Sequence, residues 1–132
     1  MARQRPEQIL QRQVAALLDT VLVPEAVWWH TPNGMTTTPR QGRIFKELGM
    51  KAGIPDIVIL ARGKAHFIEL KAPPAVLRSG RLSRAKPRTS EDQDRMAVRL
   101  TLAGGVCFVA QTLEEVARIL AMLGLSIVEI RG

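Results

Sequence analysis

The sequence predicts an α/β fold, a single domain over residues 1–132 with a mixed central β-sheet flanked by helices. Three observations lead there. Apolar residues recur at helical spacing in three stretches, 6–22, 90–103 and 112–123. Short apolar runs lie between them, Ile57-Val-Ile-Leu60 and Val106 to Ala110, of strand length and bounded by glycine or proline. The stretch Gly53 to Lys71 reads as two strands joined at Arg62-Gly63-Lys64, which makes it a hairpin at the centre of the fold.

In order, the elements read α-β-α-β-β-α-β-α-β. Pro6 to about Leu22 is a helix, with proline suited to its first turn and Leu10, Val14, Leu17, Leu18 and Val21 as its buried stripe. Val27 to His30 is a short strand, ended by Thr31-Pro32-Asn33-Gly34, where Asn-Gly signals a turn. The polar segment from Thr36 to Arg43 reads as loop, and Arg43 to about Met50 as a short helix bearing Ile44, Phe45 and Leu48. Ile57 to Leu60 is apolar without alternation, as expected of a strand covered on both faces. Ala65 to Lys71 is its partner, and Ala-Pro-Pro stops it. Ala75 to Ser90 is a loop. Ser90 then opens a helix to about Ala103 through an S-x-x-Q capping box, with Met96, Leu100 and Ala103 facing inward. Val106 to Ala110 is another buried strand, and its Cys107 reads as a buried structural cysteine. Thr112 caps a helix through Leu123, with Val116, Ile119, Leu120 and Leu123 inward. Ser126 to Ile130 is a final edge strand or pairing surface.

Composition narrows the function classes. A hydrophobic share of 46% supports a packed core and argues against disorder. No apolar run approaches the roughly 18 residues of a membrane span, and MARQRPEQ lacks the apolar segment of a secretory signal. The single cysteine excludes an intrachain disulfide and fits a reducing cytoplasm. A net charge of +7 and a pI near 10.8 favour a polyanionic partner. Aromatics are only 4%, which favours duplex or branched nucleic acid read through its backbone over a stacked single strand.

The chemistry gathers in the hairpin. Side chains alternate along a strand, so Glu69 and Lys71 share a face, and pairing of the two strands brings Asp56 beside Glu69. Two carboxylates held together repel unless a cation lies between them. Mg²⁺ or Mn²⁺ suits oxygen ligands and takes few protein carboxylates, and a lysine nearby can orient water or offset charge on a phosphoryl group. Phosphodiester hydrolysis needs these parts. Other residues carry two readings each. Glu7 lies on the inward stripe of the first helix, either for the helix dipole or as a further acid of a metal site. Gln93 either closes the capping box or joins the site. His30 reads as a packed or surface imidazole. Arg40, Arg43 and Lys46 form either a solvated face or a phosphate-contacting one. Arg78, Arg81, Arg84, Lys86 and Arg88, in the loop after Lys71, are placed to grip phosphates.

Pro55-Asp56 together with Glu69-Leu70-Lys71 resembles the PD-(D/E)xK nuclease superfamily. More narrowly, Gly49-Met-Lys-Ala-Gly-Ile-Pro-Asp56 followed by Phe67-Ile-Glu-Leu-Lys71-Ala-Pro resembles the virus-type replication and repair nuclease domain, VRR-NUC, of the stand-alone phage and bacterial type. His30-Thr-Pro-Asn33-Gly is similar to its second motif block. The resemblance implies a restriction-endonuclease-like domain, with Asp56, Glu69 and the Leu70 carbonyl on Mg²⁺ or Mn²⁺. It also implies Lys71 on the attacking water, Glu7 and Gln93 assisting, and Asn33 near the DNA backbone. Loop 75–90 is longer than is usual in that family. Stand-alone members resemble Holliday-junction resolvases and are homodimers, which implies structure-selective cleavage of branched DNA by a symmetric pair. Nicking or flap cleavage would use the same residues. A basic DNA-binding protein without activity is the alternative from another class.

Overall fold

The computed structural model describes residues 5–32 and 38–128. Among the described residues four helices and four strands follow in the order α1 (Pro6–Val21), β1 (Ala26–His30), α2 (Pro39–Glu47), β2 (Ile57–Ala61), β3 (Lys64–Leu70), α3 (Glu91–Leu102), β4 (Val106–Ala110) and α4 (Leu113–Met122). The sheet order is β1-β2-β3-β4. The first two pairings are antiparallel, and β3 with β4 is parallel. The parallel pair follows from connectivity: β4 returns to β3 only after α3 has crossed the sheet.

One face of the sheet holds the main core. Ile57, Ile59, Ala61, Ile68 and Leu70 pack there with Leu10, Val14 and Leu18 of α1 and Val116 and Leu120 of α4. Each isoleucine, leucine or valine among them, removed from water, stabilises the fold by about 1.5–3 kcal/mol. The other face is covered by α3, which packs on β4. That cover is thin: Met96 is the one buried residue of α3. Leu100 is half-buried and Ala103 is an exposed C-cap, so the inward stripe expected of this helix is shorter than its spacing suggests.

Several expectations are corrected. α2 begins at Pro39, not Arg43, because Thr38 and Gln41 form a reciprocal cap, with Gln41 N donating to Thr38 Oγ1 at 3.2 Å and Thr38 N to Gln41 Oε1 at 3.1 Å. α2 buries none of its residues, Ile44 and Leu48 included. β2 is not covered on both faces throughout: Leu60 is 44% exposed, beside its exposed partner Val27. The cause is that α3 covers the β3–β4 side and leaves the β1–β2 side open. Cys107 is only partly buried. Its Sγ faces the Ala97 carbonyl, and burial raises its thiol pKa. After α4 the described residues up to Val128 pair with the exit of α1, the second of the two readings of this segment, and Glu129 and Ile130 lie outside the described residues. Ser126 bridges Leu22, and Ile127 N donates to the Val21 carbonyl at 2.8 Å. Loop 75–90 contains a small hairpin about a bridge between Val76 and Leu82. Among the described residues no helix is long and apolar enough to cross a membrane.

Candidate active site

The register of the hairpin builds the site. Ile57 faces Ile68, so one step outward Asp56 stands opposite Glu69. Pro55 ends the ladder there by removing a backbone donor. Asp56 Oδ2 instead accepts from the Leu70 amide at 2.8 Å. The Asp56 carbonyl accepts from Thr31 N at 2.7 Å, and His30 Nδ1 stands 2.9 Å from it. A carbonyl can only accept, so Nδ1 carries the proton there. The end of β1 therefore fixes the backbone of Asp56.

Glu69 is buried on the α3 side of the sheet, at 8% exposure. Gln93 Nε2 donates to its Oε1 at 2.9 Å, and Gln93 Oε1 accepts from Lys71 Nζ at 2.8 Å. The same Oε1 accepts from Ser90 N at 2.9 Å while Ser90 Oγ accepts from Gln93 N at 3.1 Å. One amide thus caps α3 and ties Lys71 to Glu69, and both readings of Gln93 describe its bonds. Lys71 Nζ lies 3.9 Å from Glu69 Oε1, so the amide mediates most of that contact.

Gly53 holds α3 against this corner. Its φ is +78°, and a Cβ there would come within 2.2 Å of the Asp92 carbonyl oxygen. Only glycine lets the chain entering Asp56 lie directly on the first turn of α3.

The electrostatics are strained. The Glu69 pKa is raised to about 8, first by desolvation, then by the charge of Asp56 and by the proton the two carboxyls can share, with Lys71 opposing. Glu69 Oε2 is buried and has no hydrogen-bond partner among the described residues. Two ionised carboxylates cannot bond to each other, so a proton or a cation must satisfy that oxygen. The two carboxylates line separate clefts. One, of about 200 Å³, is lined by Glu7, Gln8, Gln11, His30, Asp56 and Leu70. The other, of about 180 Å³, has Glu69, Gln93 and Gly53 in its wall.

Neither the family models nor the curated proteins include a match to this chain. Among solved structures it is similar to a "VRR_NUC domain protein", at 20% identity and a TM-score of 0.64, over 92% of this chain and 89% of that one. The chain has the VRR-NUC fold. Within that fold Asp56, Glu69, Lys71, Leu70 and Gln93 converge, and Glu7 faces Asp56 across the cleft from the exposed first turn of α1. The cations expected from the sequence to meet DNA do not converge with them. Arg40, Arg43 and Lys46 are exposed on α2, and Arg78, Arg81, Arg84, Lys86 and Arg88 are exposed between β3 and α3. None of these lines either cleft. Asn33 lies outside the described residues. Sequence reasoning missed the contacts of His30 and Gly53, because both are made with residues far along the chain, Asp56 for the first and Asp92 for the second.

The donor set of this VRR-NUC fold suits a hard divalent ion. It offers carboxylate oxygens, one of them buried without a donor, from two side chains; no group of three His, Cys, Asp or Glu side chains that could hold a metal ion is present among the described residues, so water and backbone oxygens would have to complete the shell. Mg²⁺ and Mn²⁺ accept one or two carboxylates and keep waters.

Proposed function

We propose that this chain is a divalent-metal-dependent endodeoxyribonuclease that hydrolyses phosphodiester bonds at branches in DNA, in the manner of a Holliday-junction resolvase. The observation that carries the reading is the buried Glu69 carboxylate, held opposite Asp56 with one oxygen lacking a donor while Lys71 and Gln93 occupy its rim. A buried glutamate whose pKa is raised, set opposite a second carboxyl, is costly without a cation to use it, and a chain of net charge +7 suits a polyanion.

Asp56, Glu69 and the Leu70 carbonyl would hold Mg²⁺ or Mn²⁺. Such an ion, when bound, polarises a phosphoryl oxygen and makes water a better nucleophile near neutral pH. Lys71, kept in place by the Gln93 amide, orients the attacking water and offsets negative charge building on the phosphate. The water oxygen bonds to phosphorus, a bridging P–O bond breaks, and the departing oxygen takes up a proton. Gln93 fixes Lys71 relative to Glu69. Glu7 adds an acid across the cleft. The exposed cations of α2 and of 75–90 hold the duplex arms through their phosphates.

A homodimer completes this reading, because a four-way junction needs two related cuts. Its support is the open sheet face, where Val27, Trp29 and Leu60 stand 60%, 45% and 44% exposed on adjacent strands. Contiguous apolar surface with a central tryptophan is what a protein partner buries.

The test is cleavage of labelled four-way junction, flap and linear duplex in Mg²⁺, in Mn²⁺ and in EDTA. The expected result is metal-dependent cutting with paired symmetric nicks in the junction, lost in Asp56→Ala and Lys71→Ala. Tight DNA binding with no cutting under either metal would end the enzymatic reading.

A further inference from the structure

Residues 75–90 contain five cations and no acid, and their first half is not an open loop. Ser83 N donates to the Ala75 carbonyl at 2.7 Å, Leu77 N to Arg81 O at 2.8 Å, and Gly80 N closes the turn on Leu77 O at 2.9 Å. Gly80 takes a φ of 83°, which suits glycine at this turn. The result is a two-stranded ribbon with Arg78 and Arg81 at its tip. Val76 and Leu82 are opposed across it and so project to one side, 71% and 60% exposed.

An apolar pair left in water on a basic ribbon needs a partner with two properties, flat apolar surface and negative charge. A two-stranded ribbon is also marginal alone and gains from such a partner. Continuous duplex supplies the phosphates but keeps its base faces stacked. DNA at a branch supplies both at lower cost, because a base where strands part lacks one stacked neighbour, whereas an apolar wedge in continuous duplex must first unstack a base step. The ribbon is well tethered for this. It starts four residues after Lys71, and its far side runs into the Ser90 cap that holds Gln93.

We propose that the 75–83 hairpin is the element that distinguishes branched from continuous DNA. Val76 and Leu82 seat against base faces at the branch, and Arg78 and Arg81 take the flanking phosphates. This rests on the reading of the chain as a branch-directed nuclease and adds the residues that choose the substrate.

The experiment is fluorescence anisotropy of the full chain with a four-way junction and a linear duplex of equal length, in EDTA, so that binding is read without cleavage. Variants are Val76→Ser/Leu82→Ser and Arg78→Ala/Arg81→Ala, each checked for an unchanged melting temperature. Burying a valine or leucine side chain is worth roughly 10- to 150-fold, so the junction-to-duplex affinity ratio is expected to fall about tenfold or more in the serine pair. The alanine pair is expected to weaken both DNAs and to make the slope of log affinity against log salt shallower by about 2. An unchanged ratio in the serine pair, or wild-type protein with no preference for the junction, overturns the proposal. Cleavage in Mg²⁺ separates the two readings. Selective binding that depends on Val76 and Leu82 without any cutting sinks the nuclease and supports the hairpin's role. Normal cutting with an unchanged ratio sinks the hairpin alone.

Discussion

Replacing Glu69 with glutamine is expected to change how the metal-free protein responds to pH. In the folded state the Glu69 pKa is raised from 4.5 to about 8, chiefly by desolvation and by Asp56. A carboxyl whose folded pKa lies above its unfolded one binds more protons when folded. Its contribution to stability is therefore greatest below pH 4.5 and is lost as pH rises towards 8. One proton corresponds to at most about 1.4 kcal/mol per pH unit. Residual solvent contact and coupling to Asp56 reduce this to about 1 kcal/mol per unit. For a domain of this size that is about 4 °C of melting temperature per pH unit. The assay is thermal unfolding in EDTA from pH 5 to 8 for wild type and Glu69→Gln. The remaining titrating groups are common to both, so the difference reports Glu69 together with its coupling to Asp56. The glutamine variant is expected to gain on wild type steadily with pH, and Mg²⁺ to remove that gain by stabilising wild type. Parallel curves in EDTA would refute the account of Glu69 as a strained, cation-seeking carboxylate.

Three further outcomes follow from the same geometry. Gly53→Ala forces a Cβ to 2.2 Å from the Asp92 carbonyl at φ +78°, so it is expected to cost about 3 kcal/mol or more and to cut nuclease activity by displacing Gln93, checked by denaturant melts beside a cleavage assay. Ser90→Ala and Gln93→Ala both weaken the α3 cap by about 1 kcal/mol. Only the second also frees Lys71, so cleavage should fall tenfold or more further in Gln93→Ala than in Ser90→Ala at matched stability; equal losses would make Gln93 a cap alone. Trp29→Arg places a charge on the open sheet face, and light scattering should show a monomer with an unchanged circular dichroism spectrum, whereas an intact dimer would move the interface elsewhere.

Much of this fold was legible because its signals are local. The capping box at Ser90, the Thr112 side-chain cap and the apolar stripe of α1 depend on neighbours a few residues away, and the structure keeps them, although the Glu115 carboxylate accepts from Gln111 N and so leaves the box expected at Thr112 half-formed. The Asp56–Glu69–Lys71 cluster was readable because strand alternation and one tight hairpin fix all three positions. The start of α2 was misread because Gly42 and the polar run around it outweighed the Thr38 cap in a helix that buries nothing. Leu60 and the stripe of α3 were misread for a tertiary reason. How far one helix covers a four-stranded sheet is decided by where it crosses, which no window of sequence records. The 75–83 ribbon was hidden likewise, since a single bridge between Val76 and Leu82 leaves almost no alternation to read. Gly53 depends on a contact with Asp92, far along the chain.

The most direct test of the central claim is single-turnover cleavage of a four-way junction at saturating protein, comparing wild type with Asp56→Ala across a Mg²⁺ titration. The account predicts cutting that rises with Mg²⁺ in wild type and is absent in Asp56→Ala, with junction binding in EDTA retained by both. Cutting that persists in Asp56→Ala, or that proceeds in wild type with EDTA present, would contradict it.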